Sequence, residues 1–115
     1  MRINRQVTVS AGTPVNIWTG TGTADTVPAM ARAVLIQMKH GGTGIGYVMA
    51  GISRNRTPSA SNSSDLTAEL APASATAPGG SYSDESEQMG IDVNSIWVDG
   101  SVTSDVIVVS IDLKV

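Results

Sequence analysis

The stretch from Ser95 to Lys114, Ser-Ile-Trp-Val-Asp-Gly-Ser-Val-Thr-Ser-Asp-Val-Ile-Val-Val-Ser-Ile-Asp-Leu-Lys, constrains the fold more than any other part of the chain. It contains no helical period. It reads as two strands around an Asp99-Gly100 turn signal, and the second alternates cleanly: Ile107, Val109, Ile111 and Leu113 share one face, Val108, Ser110 and Asp112 the other. A strand with one apolar face must lay it against another layer, so an all-β protein is expected.

The same period of two recurs earlier. Ile3, Arg5, Val7 and Val9 alternate with Asn4, Gln6, Thr8 and Ser10, the pattern of a half-buried strand. A short strand is expected from Pro14 to Trp18, then a polar loop to Pro28. Ala31 to Lys39 places Val34, Ile36 and Met38 on one face and Ala33, Leu35 and Gln37 on the other; with both faces fairly apolar, a central position is expected. The glycine-rich run from His40 to Gly46 reads as a hairpin turn into a strand over Tyr47 to Ile52. Leu66 to Leu70 reads as either a short strand or one helical turn, with the strand preferred, and 71–90 as a long loop. Ile91 to Val98 and Val106 to Leu113 are expected to pair across the Asp99–Asp105 connection. Six to eight short strands without an amphipathic helix give a small antiparallel β-sandwich, jelly-roll-like, in one domain spanning 1–115.

With 13 Val and 9 Ile against four aromatic residues and no Phe, the core must be aliphatic. A domain of this size hides only about two-thirds of the surface its unfolded chain exposes, which favours association with other subunits. The net charge of −3 with no basic block disfavours a nucleic-acid partner. No apolar stretch approaches the roughly 20 residues needed to span a bilayer, and Met-Arg-Ile-Asn-Arg-Gln at the start is not a secretion signal, so no membrane is expected and synthesis is cytoplasmic. The absence of cysteine is compatible with that and with a particle outside the cell.

Residues with catalytic potential are few. The single histidine, His40, lies between Lys39 and Gly41 at a strand end, where an exposed turn histidine is the commoner case. No Gly-x-Ser-x-Gly elbow occurs. Gly42, Gly44 and Gly46 lead into a strand, whereas a phosphate-binding loop opens a helix. Asp84, Glu85 and Glu87, following Tyr82, form the one local acidic cluster; Ca²⁺ chemistry is conceivable there, but solvated acids are the commoner case. Arg54 and Arg56 carry the opposite sign and suit a charge-complementary contact. Trp97 is expected as a core anchor, while Trp18, before the Gly/Thr loop, and Tyr82 are candidate contact residues. No cofactor, metal or catalytic residue is expected.

Four segments, Ala31-Arg-Ala-Val-Leu-Ile-Gln-Met-Lys39, Asp65-Leu-Thr-Ala-Glu-Leu-Ala-Pro72, Ala77-Pro-Gly-Gly-Ser-Tyr82 and Ile96-Trp-Val-Asp-Gly-Ser-Val-Thr-Ser-Asp-Val-Ile-Val-Val-Ser110, resemble small β-sandwich virion proteins of tailed bacteriophages. The likeness covers about the C-terminal two-thirds of the chain, in style and order of elements. Among such proteins the head decoration, or cement, proteins fit best. The resemblance implies a non-enzymatic structural protein of the capsid surface, usually a homotrimer, that binds the major capsid protein where neighbouring subunits meet and stabilises the expanded shell. Decoration proteins often attach through a flexible N-terminal arm, whereas this chain enters a strand by Ile3, which turns attention to the loops 53–65 and 71–90. The alternative is a tail, baseplate or host-attachment module that binds cell-surface glycan.

Overall fold

The computed structural model describes residues 1–50 and 65–114. Among them run β1 (Arg2–Thr8), β2 (Val15–Asn16), β3 (Met30–Met38), β4 (Gly46–Ala50), β5 (Leu66–Leu70), β6 (Ser81–Glu85), β7 (Ile91–Asp92), β8 (Ile96–Gly100) and β9 (Val106–Leu113), with one 3-10 turn at Val93–Ser95. They form two antiparallel sheets, ordered β1-β9-β3-β6, with β7 also on β3, and β2-β8-β4-β5. Apart from the two-residue β7, the outermost strands in sequence pair with each other, β1 with β9 and β2 with β8, while β3 takes β6 and β4 takes β5. This is a long antiparallel ribbon folded back between β4 and β5 and rolled up, so that its strand pairs alternate between sheets. The expected sandwich is therefore present, with jelly-roll topology.

The alternating strands behave as their patterns require. In β9, Ile107, Val109 and Ile111 are buried, and in β3 so are Val34, Ile36 and Met38. Ile3 sits opposite Ile111, Val7 opposite Ile107, and Ile36 opposite Val109, so the registers keep apolar side chains together on the inner face. They meet Ile17, Val48, Leu70 and Val98 from the other sheet in one core. Each such fully buried side chain contributes about 1.5–3 kcal/mol relative to an exposed one. Strand β3 lies inside its sheet, as expected from its apolar faces.

Three expectations about pairing are corrected. First, β3 and β4 are not a hairpin: they belong to different sheets, and the connection between them crosses the end of the sandwich. Its glycines serve close packing against Asp105. The Gly44 N–H donates to Asp105 Oδ2 at 2.8 Å, and a Cβ on Gly44 would stand 2.8 Å from that same oxygen. Second, Asp99-Gly100 is no turn. Both residues lie within β8, which pairs with β4 and β2, while β9 pairs with β1 and β3. The Asp99 carboxylate accepts from the Gly100 N–H at 2.8 Å and the Gly12 N–H at 3.1 Å, and Gly100 lets Val9 pack against its backbone, where a Cβ would fall 3.0 Å from Val9 Cγ2. Third, Ile91 to Val98 is not one strand, because Asp92 caps the 3-10 turn and sends the chain from one sheet to the other.

A polar strap fixes the long segment between β2 and β3. Asn94, fully buried, donates through Nδ2 to the carbonyls of Asp25 (2.9 Å) and Val27 (3.1 Å) and accepts through Oδ1 from the Asp25 N–H (2.9 Å). Asn16 donates through Nδ2 to the Asn94 carbonyl at 2.8 Å, and its Oδ1 takes the N–H groups of Trp18 and Thr19. Asp92 Oδ1 receives the Ala29 N–H at 2.9 Å. A buried polar network is stabilising only when its members are satisfied, and these two asparagines use both ends of their amides.

Candidate functional site

Three surfaces offer themselves for contact. The first is the outer face of the β1-β9-β3-β6 sheet. Because side chains alternate, the residues that do not enter the core stand here: Asn4 and Gln6 from β1, Val108 and Ser110 from β9, Leu35 from β3. They line a shallow concavity of about 350 Å³. Arg2 closes one side by donating to Ser110 Oγ at 2.8 Å, and Lys39 reaches Gln6 Oε1 at 3.3 Å. Leu35, 42% exposed, supplies an apolar floor among amide and hydroxyl groups. Such a surface can hydrogen-bond a polar partner. It holds no pair of groups positioned for proton transfer.

The second surface is the end of the sandwich where β1 and β3 begin and β9 stops. Met1, Val27, Met30 and Met89 are exposed there, Met89 to 85% and Val27 to 61%. The backbone at this end is tied by the Lys114 N–H donating to the Met30 carbonyl and the Leu113 N–H to the Met1 carbonyl, and the Met30 methyl packs beside Gly90, next in sequence to Met89. Lys114 Nζ also donates to the Gln88 carbonyl. Exposed Met side chains conform to irregular apolar surfaces.

The third comprises the two edges of the same sheet, β1 and β6. Here the sequence-nominated residues fall. The 71–90 segment is not one long loop, because 81–85 is an edge strand opposite β3. Tyr82 faces inward beside Ile36 and packs against the core, and Asp84 shares its side. Burial, reinforced by the nearby Asp84 charge, raises the Tyr82 hydroxyl above its ordinary pKa. Glu85 points to the opposite face, and Glu87 is exposed in the turn that follows. Strand alternation thus splays the acids that the sequence placed side by side. Among the described residues no group of three or more His, Asp or Glu side chains is arranged to hold a metal ion.

Trp18 is half-buried against the core on the far side of the sheet from Tyr82, next to β1, where Arg5 Nη2 donates to its carbonyl at 2.9 Å. Arg5 lies inward between Ile3 and Val7, and its Nε is buried with no partner among the described residues. The structure does not bring Trp18 and Tyr82 together. Trp97 is a core residue, packed with Tyr47 and Met49 on the outer side of the β2-β8-β4-β5 sheet. His40 is exposed in the turn after β3. Arg54 and Arg56 lie outside the described residues. Sequence reasoning missed the surface residues Asn4, Gln6, Val108 and Ser110 because it used their alternation only to find the core; the same period marks them as a second, outward face.

No protein-family model matches this chain, and no match emerges from the curated proteins or from the solved structures.

Proposed function

We propose that this chain is a non-enzymatic structural protein of a virion, a decoration protein that sits on the outside of a tailed-phage head and clamps neighbouring major capsid subunits. The observation that carries the reading is the exposure of Met30 and Met89, brought near each other where the Met30 methyl packs beside Gly90, with Val27 and Met1 also exposed, since apolar side chains left in water on a small domain suit a protein contact. Jelly-roll topology adds support, being common in viral capsid domains, although a fold alone assigns no function. The resemblance described above supplies the partner and the homotrimer. Binding the expanded shell in preference to its precursor stabilises the expanded state by mass action. Several copies joined to one another let individually weak contacts hold together.

The test is co-sedimentation of the purified protein with expanded heads stripped of their own decoration. The protein should pellet with expanded heads and not with precursor shells, and Val27→Asp combined with Met89→Asp should abolish pelleting while leaving the fold intact by circular dichroism. Equal recovery with both shell forms, or none with either, would refute the reading.

A second reading, a tail or host-attachment module for cell-surface glycan, is favoured by the concavity of Asn4, Gln6 and Ser110, whose amides and hydroxyl suit sugar hydroxyls. Specific binding on a glycan array, lost in Asn4→Ala with Gln6→Ala, would select it over the first.

A further inference from the structure

The edges of the five-stranded sheet are complementary to each other in three independent respects. The first is direction. Along β1-β9-β3-β6 every neighbouring pair is antiparallel, so β1 and β6, at opposite ends of four strands, run in opposite directions. A second copy in the same orientation therefore brings its β6 antiparallel to β1.

The second is the parity of the free backbone groups. The Val9 N–H donates to Asp105 and the Met1 carbonyl accepts from Leu113, so odd-numbered residues of β1 turn their backbone groups towards β9. Arg2, Asn4 and Gln6 then aim theirs out of the sheet. At the other edge the Gly80 carbonyl accepts from Met38 and the Ser86 N–H donates to Arg32, so even-numbered residues of β6 serve β3. Ser81, Ser83 and Glu85 aim outward. All six carry their side chains on the outer face, because their neighbours Ile3, Val7 and Tyr82 point inward. In an antiparallel ladder directly opposed residues share a face, and those whose backbone groups point at each other exchange both hydrogen bonds. The edges can thus join with inner face continuing inner face. No described strand pairs with either edge.

The third is charge. The charged residues of β1 are Arg2 and Arg5; those of β6 are Asp84 and Glu85, with Glu87 just beyond. Full overlap of the five residues of β6 with Arg2 to Gln6 sets Arg2 against Glu85, Asn4 against Ser83, and Gln6 against Ser81. Over the same residues a β1–β1 contact would set Arg2 against Gln6 and a β6–β6 contact Glu85 against Ser81, so neither brings opposite charges face to face. Like charges directly across strands are destabilising and opposite charges favourable.

The geometry points to a homo-oligomer in which β6 of one copy adds to β1 of the next, making the sheet continuous across the interface. The contact is head-to-tail, so it closes into a ring if the rotation between copies permits and otherwise extends. It binds a second copy of this chain through an exposed strand edge, as in β-augmentation. It stands whether or not the protein meets a capsid, and its test contains no shell.

The experiment is sedimentation of the full chain at about 100 µM, a concentration at which contacts of micromolar strength are filled. Wild-type protein should sediment as an oligomer. Arg2→Glu alone and Glu85→Lys alone should each weaken association about tenfold or more, since each sets like charges face to face, and the double variant should recover it. Because the native chain has no cysteine, Asn4→Cys with Ser83→Cys provides a second readout: oxidation should link copies covalently. A monomeric wild type, single variants that keep the wild-type mass, a double variant that fails to recover it, or the absence of a cross-link would each overturn the proposal.

Discussion

The two sheets of this sandwich are built from the same kinds of residue yet solve different problems. In the five-stranded sheet one face enters the core and the other meets water, so β9 alternates buried and half-exposed positions along most of its length. In the four-stranded sheet the inner strands are covered on both sides: all five residues of β8 are buried, and so are four of five in β4. Its inner face joins the common core through Val48 and Val98, while Tyr47, Met49 and Trp97 form a second cluster on the outer side with Ala24 and Leu66. A sheet buried on both faces is a continuous apolar run, and one with a wet face is an alternation. The outward face of the first sheet is therefore free for function, and that of the second is already committed to stability.

The sharpest way to break this contrast is at Trp97. Trp97→Ala should cost about 3–5 kcal/mol in urea unfolding, as expected for a large ring removed from a filled site. A loss below about 1 kcal/mol would mean that the outer side of the four-stranded sheet is not a true second core. Next in size is Asn94→Ala, which strips the strap from the segment carrying Ala24 by removing its three part-buried hydrogen bonds to the backbone of Asp25 and Val27; about 2–3 kcal/mol should be lost. If that loss is additive with Trp97→Ala, the strap and the cluster act separately, and coupling between them would show that the strap holds the cover in place.

Asp99 sharpens the contrast through pH. Its carboxyl, sharing the outer side with Trp97, is raised above the ordinary carboxylate range by burial, an effect only partly offset by the Gly100 and Gly12 N–H groups. The folded state thus holds this proton more tightly than the unfolded state does. The group's contribution to stability is complete below its unfolded pKa and is lost as pH climbs through the raised folded value. Unfolding free energies of Asp99→Asn relative to wild type should accordingly shift in favour of the variant as pH rises above about 4. A shift the other way would place Asp99 in an environment that favours its charge. The smallest effect belongs to the wet face: Leu35→Ser should change stability by no more than about 0.5 kcal/mol, although Leu35 lies between the buried Val34 and Ile36.

The difference between the sheets also explains what could be read in advance. Alternation identified β1, β3 and β9 and assigned their faces correctly, because each has one side in water. Strand β6 escaped notice: Ser-Tyr-Ser-Asp-Glu, at an edge, has a single ring to bury and resembles a solvated loop. Strand β8 was seen, but its end was misread, since Asp99-Gly100 has the composition of a turn and only the Gly12 N–H and the Val9 side chain explain both residues inside a strand. The candidate acids of 84–87 were recognised as a charged group, yet their division between faces depended on knowing that they lie on a strand.

Spacing of apolar residues along the chain was enough to decide that this protein is made of strands, that they bury Val and Ile, and which side of the clearest ones turns inward. Which strand lies beside which was decided in three dimensions. A glycine-rich connection marks where the chain reverses and not which sheet it returns to, and ladder hydrogen bonds join backbone groups that every strand carries alike. The choice between a local hairpin and a rolled ribbon therefore fell to side-chain packing between layers, and with it the placing of an arginine-bearing edge and an acidic edge at opposite sides of one sheet.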